Sequence, residues 1–186
     1  MIEEGKGRGP VDDDWDLHQA TVAPSEAEYV ASLVHDAIEG QKLPVVCFFL
    51  GGGEYAFEVS DAVEVLKPRS LTTVPRTPDF VMGILSVRGE MVPVLDLSKR
   101  LGIGSCGDLA ASRVLVVSVD EIKAGFVVDR LAGVEEVSKK LVSPPGKLTP
   151  ALPDGFLKGV IKVKKRVISL LDIENLLDFT LGGHNG

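Results

Sequence analysis

Two stretches of this sequence align with one another without a gap. Residues 80–101 read FVMGILSVRGEMVPVLDLSKRL and residues 156–177 read FLKGVIKVKKRVISLLDIENLL. Six positions are identical, namely the pairs Phe80/Phe156, Gly83/Gly159, Val87/Val163, Leu95/Leu171, Asp96/Asp172 and Leu101/Leu177. In each copy, two short apolar runs flank a polar turn, a pattern typical of a β-hairpin. The sequence therefore predicts that one hairpin occurs twice.

The repeat continues upstream of both hairpins. Residues 45–59, VVCFFLGGGEYAFEV, correspond to residues 114–128, VLVVSVDEIKAGFVV. About ten short strands result, and they follow the same order in the two halves of the chain. We therefore predict a mainly β fold of two pseudo-symmetric five-stranded barrels, from halves at about 44–107 and 108–180. Closing each half into a barrel would hide its strand edges.

Charge separates the beginning of the chain from the rest. Residues 1–43 hold ten Asp or Glu and three Lys or Arg, whereas residues 44–186 hold seventeen of each kind. A neutral body without a strong basic field argues against nucleic-acid binding. The Gly-, Pro- and Asp-rich residues 1–24 are predicted to be a disordered acidic tail, and residues 181–186 form a short C-terminal tail.

A helix is predicted between this tail and the β region, in the segment 25–43. Ser25 and Glu28 have the spacing of a capping box, and Gly40 stands where the helix would end. Apolar residues recur at helical spacing between these limits, at Val30, Leu33, Val34, Ala37 and Ile38. This apolar stripe either packs on the chain's own β domain or faces a partner; the sequence alone leaves both options open.

Features of an enzyme, a metal site or a membrane protein are not found in the sequence. The two cysteines, Cys47 and Cys106, have no neighbour at metal-binding spacing, and no signal peptide precedes them. The three histidines lie outside the β region, and no apolar run approaches the roughly 18 residues that span a membrane. We therefore expect a soluble cytoplasmic protein with no catalytic residues, no metal and no cofactor.

Three polar residues of the repeated hairpin admit more than one interpretation. Asp96 and Asp172 each precede a short helical stretch, so we interpret them as helix N-caps and not as an acid–base pair. Arg88 lies at the first hairpin turn, where it is either a solvated turn residue or a recognition residue. Pro93 cannot donate a backbone hydrogen bond, which predicts an edge strand or a bulge beside that turn.

The first hairpin resembles the CheW family of chemotaxis adaptors. The segments EYAFEVSDAVEVL and VPRTPDF precede it, and the resemblance extends over about residues 44–180. The residues that match the family pattern are Gly83, Val87, Arg88, Gly89, Pro93, Asp96 and Leu97. Ser86 departs from the pattern, because an Asn usually stands at this position in the family.

The resemblance implies a fold and a function. The fold is a pair of five-stranded SH3-like barrels, with short helices after the hairpins. The function is that of a non-enzymatic adaptor between the cytoplasmic tips of methyl-accepting chemoreceptors and the regulatory domain of a CheA-type histidine kinase. Such a protein would reside in the cytoplasm, in receptor arrays at the inner face of the membrane. The alternative is a CheW-like scaffold of a chemosensory kinase pathway unrelated to motility.

The resemblance also implies two sets of contact residues. The receptor-binding residues by position are Ala62, Glu64, Gly83, Val87 and Arg88, and the kinase-binding candidates are Leu71 and Thr72. Glu64 has an alternative role as an ordinary outward-facing strand residue. Arg88 has an alternative role as well, in which it supports the neighbouring loop through backbone carbonyls or through Glu64.

Overall fold

A computed structural model describes residues 41–69, 71–146 and 152–178. This part of the chain contains eleven β-strands and two short α-helices. The strands are β1 (Lys42–Leu50), β2 (Gly53–Glu58), β3 (Ala62–Leu66), β4 (Val81–Val87), β5 (Glu90–Asp96), β6 (Arg113–Val119), β7 (Ile122–Val128), β8 (Arg130–Ser138), β9 (Val142–Ser143), β10 (Leu157–Val163) and β11 (Arg166–Leu171), and the helices are α1 (Leu97–Arg100) and α2 (Ile173–Leu177).

Three predicted segments lie outside the described residues. They are the acidic tail at 1–24, the helix at about 26–39 and the C-terminal tail at 181–186. Residues 42–43, which the sequence grouped with the helix, belong to β1. No helix in the described part of the chain is long and apolar enough to cross a membrane.

The strands form two sheets, which confirms the prediction of a mainly β protein. The six-stranded sheet has the order β8-β1-β2-β11-β10-β9, and the five-stranded sheet has the order β3-β6-β7-β5-β4. The two orders correspond when β1 is matched with β6, β2 with β7, and the two hairpins β4–β5 and β10–β11 with each other. A parallel pair occurs at the same place in both sheets, between β11 and β2 and between β5 and β7.

The sheets do not coincide with the two halves of the sequence. The predicted division near residue 107 places β1–β5 in one barrel and β6–β11 in the other. In the structure, β1 and β2 join the strands of the second half, while β6 and β7 join β3, β4 and β5. The sequence could not show this exchange, because an apolar strand presents the same alternating pattern whichever copy supplies its neighbour.

Buried side chains form three clusters that follow the two sheets. The largest cluster contains residues of both sheets, including Phe48, Phe57 and Phe126, which stack or tilt against their aromatic neighbours. A second cluster belongs to the six-stranded sheet alone and a third to the five-stranded sheet alone. Side chains alternate between the two faces of a strand. One face of each sheet therefore contributes to the cluster of that sheet alone, and the other face contributes to the cluster shared by both sheets.

The short helices begin at the two predicted capping residues. The Asp96 carboxylate accepts a hydrogen bond from the backbone N–H of Lys99 at 3.1 Å, and Asp172 accepts one from Asn175 at 3.1 Å. These contacts satisfy N–H groups that have no partner inside a helix. The interpretation of both aspartates as N-caps is confirmed.

A buried arginine links the two copies of the hairpin unit. Arg100, at the end of α1, is 5% exposed, and its guanidinium lies 4.8 Å from the ring centre of Phe80 and 4.7 Å from that of Phe156. It also donates hydrogen bonds to three backbone carbonyls at the end of α2, those of Asn175, Leu176 and Asp178. Burial lowers the pKa of Arg100, which nevertheless stays charged at neutral pH because its ordinary value is so high.

Candidate protein-interaction site

The turn between β4 and β5 presents Arg88 to solvent. Arg88 and Gly89 are the two turn residues, with Val87 opposite Glu90 on the strands. Their φ angles are 52° and 89°, and two-residue hairpins of type I′ require positive φ at both positions. Glycine adopts such angles freely, whereas arginine does so at a cost of about 1 kcal/mol. Lys164 has a φ of 54° in the second hairpin, so the first turn residue has a similar positive φ in both copies, whereas Lys165, aligned with Gly89, does not have a positive φ.

Glu64 on β3 holds the Arg88 side chain. The distance from Arg88 Nη2 to Glu64 Oε2 is 3.2 Å, and the exposed fractions of the two side chains are 81% and 17%. Because β3 and β4 are the outermost strands of the five-stranded sheet, the ion pair joins opposite edges of that sheet. An ion pair this exposed contributes about 0–1 kcal/mol to stability. The family resemblance allowed an alternative role in which Arg88 supports the neighbouring loop through Glu64. The structure contains this contact.

The six-stranded sheet carries no equivalent acid at this position. Glu64 is paired with Val116 on β6, and the matching residue of β1, Cys47, is paired with Gly133. The residue that corresponds to Arg88 is Lys164, but Gly133 has no side chain with which it could interact. The ion pair thus occurs in the five-stranded sheet and is missing at the equivalent position, Gly133 and Lys164, of the six-stranded sheet. This difference makes the Glu64–Arg88 edge a candidate site.

Shallow grooves lie on both sides of the Glu64–Arg88 pair. One has a volume of about 200 Å³ and is lined by Glu64, Leu66, Lys67, Arg69, Leu85, Ser86, Val87 and Arg88. The other has a volume of about 170 Å³ and is lined by Val63, Glu64, Val87, Arg88, Glu90, Val92, Val116 and Lys123. The apolar side chains in both grooves suit a partner that lays an apolar face against the sheet edge and pairs with a charge at its rim.

A second ion pair borders the smaller groove, and its charges are reversed in the other sheet. Glu90 on β5 contacts Lys123 on β7. The matching residues of the six-stranded sheet are Arg166 on β11 and Glu54 on β2, and they also contact each other. Arg166 reaches Glu135 as well, at 2.8 Å, and the hydrogen bonds to both carboxylates raise the pKa of Arg166. The two sheets therefore present opposite charge orders at equivalent positions.

Gly83 is buried on β4 and allows a neighbouring segment to approach. Its φ is 146°, and a Cβ atom added there would lie 2.5 Å from the carbonyl oxygen of Thr72. Thr72 exchanges two backbone hydrogen bonds with Ile84, so this segment extends the sheet beyond β4. The structure thus gives Gly83 a positioning role beneath the segment that contains Leu71 and Thr72.

Leu71 lines a third groove on this side of β4. The groove has a volume of about 430 Å³ and is lined by Pro68, Arg69, Leu71, Thr73, Met82, Leu109 and Ala110. Leu71 also packs against the buried cluster of the five-stranded sheet. Leu71 therefore lines a different groove from Glu64, Val87 and Arg88, whereas Thr72 is not among the lining residues of these three grooves and lies against Gly83.

The sequence-predicted receptor residues fall into two groups in the structure. Glu64, Val87 and Arg88 converge on the two smaller grooves. Ala62, at the start of β3, is half-buried, pairs with Val117 and packs against the shared core. Sequence reasoning missed the groove residues Leu66, Lys67, Arg69, Leu85, Met82 and Leu109. Their alternation with buried neighbours was visible, but the edge-strand signal of Pro93 lies on β5, which is an interior strand, and not on β3 or β4.

The described residues offer little for covalent or metal chemistry. No three metal-ligating side chains come together within them. Burial raises the pKa of the Cys47 thiol to about 11, and burial also raises that of Cys106. Both thiols are therefore protonated at neutral pH and are weak nucleophiles. The geometry instead favours noncovalent recognition at a sheet edge.

The comparison with protein families agrees with that geometry. The model of the CheW-like domain matches residues 44–180. The chain belongs to the CheW family. This membership confirms the resemblance seen in the first hairpin, and it confirms the predicted function class, a chemotaxis adaptor.

Individual CheW relatives support the assignment over most of the chain. The chemotaxis protein CheW of Thermotoga maritima is 30% identical over 74% of this chain and 89% of its own length. Protein FrzA of Myxococcus xanthus is 32% identical, over 70% and 82%. The crystal structure of the scaffolding protein TtCheW from Thermoanaerobacter tengcongensis shares 33% identity and a TM-score of 0.67, and the match covers 73% of this chain and 88% of that one.

Proposed function

We propose that this CheW-family chain is a non-enzymatic adaptor that couples the cytoplasmic tips of chemoreceptors to a CheA-type histidine kinase. The proposal includes a cytoplasmic location in receptor arrays, and closure of each sheet into an SH3-like barrel. The observation that carries it is the Glu64–Arg88 pair. A mostly exposed guanidinium is held by a mostly buried carboxylate, between two apolar grooves at one sheet edge.

The chemistry of this edge fits a helical partner. An amphipathic helix presents an apolar stripe flanked by charged residues, and a groove with a charged rim receives both parts. Arg88 offers a planar fork that can bind a carboxylate with two hydrogen bonds, while Glu64 fixes the direction of its side chain. We assign Glu64, Val87 and Arg88 as direct receptor contacts, with Ala62 and Gly83 as residues that position the edge.

The third groove is the proposed kinase contact. It places Leu71 next to Leu109 and Met82, on the other side of β4 from Arg88. Thr72 continues the sheet there through its backbone hydrogen bonds to Ile84. This groove shares Arg69 with the larger groove beside Glu64 and Arg88 but none of its other lining residues, an arrangement that would allow receptor and kinase to be held side by side, as an adaptor requires.

The test is a binding measurement with purified fragments of both partners. Arg88→Asp reverses the charge but keeps a residue that tolerates positive φ, so the turn should survive. We expect binding to a chemoreceptor tip fragment to weaken at least tenfold, while the thermal unfolding midpoint changes little. Lys164→Asp is the matched control, because it also replaces a cation by an aspartate at the first turn residue of a hairpin, with a φ of 54° against 52° for Arg88.

Two outcomes would contradict the receptor assignment. One is an unchanged affinity in Arg88→Asp, and the other is an equal loss in Lys164→Asp. The kinase assignment is tested separately with Leu109→Lys, which places a charge in the third groove. This variant should lose affinity for the regulatory domain of the kinase and keep affinity for the receptor fragment.

A further inference from the structure

A row of exposed side chains crosses the outer face of the second hairpin. Lys162 on β10 is paired with Val167 on β11. Leu141 is the last residue of the 3-10 turn before β9, and continuing the antiparallel pairing of β9 with β10 by one residue places it beside Lys162. The adjacent residues Ile161 and Ile168 belong to the buried cluster of this sheet, so the row points away from that cluster. Leu141 and Val167, at the two ends of the row, are 40% and 49% exposed.

Five lysines lie in and around this row. One is the central member of the row, two form the turn between β10 and β11, and two lie in the 3-10 turn that ends at Leu141. All five are exposed. We call the five lysines and the two apolar residues of the row the basic face; its lysines are Lys139, Lys140, Lys162, Lys164 and Lys165.

The positive charge of the basic face is not compensated locally. Within the part of the chain that the structure describes, none of its lysines forms an ion pair with a carboxylate. Carboxylates of the same sheet are engaged by other cations: Arg166 binds Glu54 and Glu135, and Lys42 binds Glu136 at 2.9 Å. The face therefore offers its full charge to an anionic partner.

The repeat relates the basic face to the candidate site on the other sheet. Lys164 is aligned with Arg88, and both have a positive φ. At the candidate site, Glu64 neutralises part of the charge of Arg88, whereas Gly133 stands at the position equivalent to Glu64 in the six-stranded sheet. A carboxylate from a partner thus meets no competing acid there. On charge alone, the second hairpin favours a more acidic partner than the first.

We propose that the basic face docks an acidic amphipathic helix of a partner protein. Along such a helix, apolar residues three and four positions apart form a stripe, and carboxylates flank the stripe. The stripe covers the exposed side chains of Leu141 and Val167, and the carboxylates pair with the surrounding lysines. Each exposed charge pair contributes little, so the affinity requires the stripe and several pairs together. The proposal does not rest on the adaptor function.

The basic face fits a helix better than it fits a membrane or a nucleic acid. A protein on a membrane surface buries apolar side chains below the lipid headgroups. The outermost residues of this hairpin are instead its two turn lysines, and the apolar residues lie behind them on the sheet. Nucleic-acid binding is dominated by a strong basic field, whereas residues 44–186 hold seventeen acidic and seventeen basic residues.

The test is the fluorescence anisotropy of a labelled peptide titrated with the full chain. The peptide is a synthetic helix of about 18 residues, longer than the length at which isolated helices are marginal, and a hydrocarbon staple holds its conformation. It carries a leucine stripe flanked by glutamates, and a second peptide has lysine in place of every glutamate. We expect the acidic peptide to bind at least tenfold more tightly. Raising the salt from about 10 mM to about 1 M shortens the Debye length from about 30 Å to about 3 Å, so this affinity should fall several-fold.

Two double variants test the contribution of charge. Lys162→Gln with Lys164→Gln removes two charges from the basic face and should weaken binding of the acidic peptide about fivefold or more. The matched control is Arg76→Gln with Lys99→Gln, because Arg76 precedes β4 and Lys99 follows β5 on the other sheet, and both are exposed. The control should change the affinity less than about twofold.

Two single variants test the apolar row. Val167→Thr keeps a β-branched side chain but places a hydroxyl in the row, and it should weaken binding several-fold. Val134→Thr makes the same change at a valine of β8 that is 65% exposed, and it should leave the affinity unchanged. All four positions changed in the six-stranded sheet are exposed, so the thermal unfolding midpoints should stay close to that of the wild type.

Equal affinities for the acidic and the basic peptide, or a lysine double variant that binds as tightly as its control, would overturn the proposal. Binding of poly-L-glutamate as tight as that of the stapled peptide would also overturn it, because this polymer has no apolar stripe. Binding to phosphatidylserine vesicles or duplex DNA in place of the peptide, lost in the lysine double variant, would assign the face to that ligand instead. The lysine double variant should still bind the chemoreceptor tip fragment, which separates failure of this proposal from failure of the adaptor function.

Discussion

Replacing Arg100 by leucine should strongly destabilise the fold. The choice of residue follows the repeat, because the residue aligned with Arg100 in the second copy is Leu176, a buried leucine. Arg100→Leu keeps an apolar stem between Phe80 and Phe156 but removes the donors for the carbonyls of Asn175, Leu176 and Asp178.

The magnitude can be worked from these contacts. The buried carbonyl of Leu176 costs about 1–3 kcal/mol when it loses its partner, the two part-buried carbonyls cost less, and each lost cation–π contact of a desolvated guanidinium costs about 2 kcal/mol. Two gains oppose these losses, since the carbonyls can recover part of their hydrogen bonding by relaxing, and the desolvation of a buried charge is relieved. We therefore expect a loss of about 3 kcal/mol in the free energy of unfolding, similar to the loss when one partner of a buried ion pair is removed.

Urea unfolding followed by circular dichroism measures this difference. For m-values of about 1–3 kcal/mol/M, a loss of 3 kcal/mol lowers the midpoint by roughly 1–3 M. Arg69→Leu is the matched control, because the same change at an exposed arginine should stay within about 0.5 kcal/mol. If Arg100→Leu destabilises the protein no more than Arg69→Leu does, the hydrogen bonds to the end of α2 do not hold the two copies together.

Two further predictions concern a buried glycine and a buried thiol. Gly83→Ala should destabilise the fold by about 2 kcal/mol or more and loosen the Thr72 segment, because the new Cβ would lie 2.5 Å from the Thr72 carbonyl oxygen. Gly104→Ala, at a φ of 128° but in open space, is its control; equal thermal shifts in the two variants would refute the role of the close contact. For Cys47, folding raises the thiol pKa from about 9 to about 11, so the unfolded chain loses its proton first as pH rises. Its contribution to stability is therefore complete below about pH 9 and is lost between pH 9 and 11; unfolding free energies that fall equally in wild type and Cys47→Val over this range would contradict this.

Local patterns in the sequence predicted local structure well. The alternation of apolar residues identified the strands, and the aspartates before LSKRLG and IENLLD identified the starts of both short helices. Arg88 and Gly89 were recognised as a turn because polar and glycine residues interrupt an apolar run. Each of these inferences depends on residues within one turn or one hairpin, where the physical cause and the sequence signal lie together.

Contacts between segments that are far apart in the chain could not be predicted from such local patterns. Nothing in the spacing of β1 and β2 indicates that they pair with strands of the second half. The charge on Glu64 and that on Arg88 were visible as candidates, but their contact follows from the meeting of two sheet edges. The short stretch LSKRLG, which holds Arg100, carries no local signal that this arginine is buried. Its burial arises because Phe80 and Phe156, from different copies, enclose it.

The exchange of strands between the halves has a consequence during synthesis on the ribosome. Glu54 on β2 meets Arg166 on β11, a residue 112 positions later in the chain. At a translation rate of about 5–20 residues per second, the β1–β2 hairpin waits roughly 6–20 s for this neighbour to emerge. During that delay its apolar side chains and unpaired edges are exposed to other nascent chains. A truncated product ending near residue 107 would keep those edges open permanently, and we expect it to be bound by chaperones or degraded.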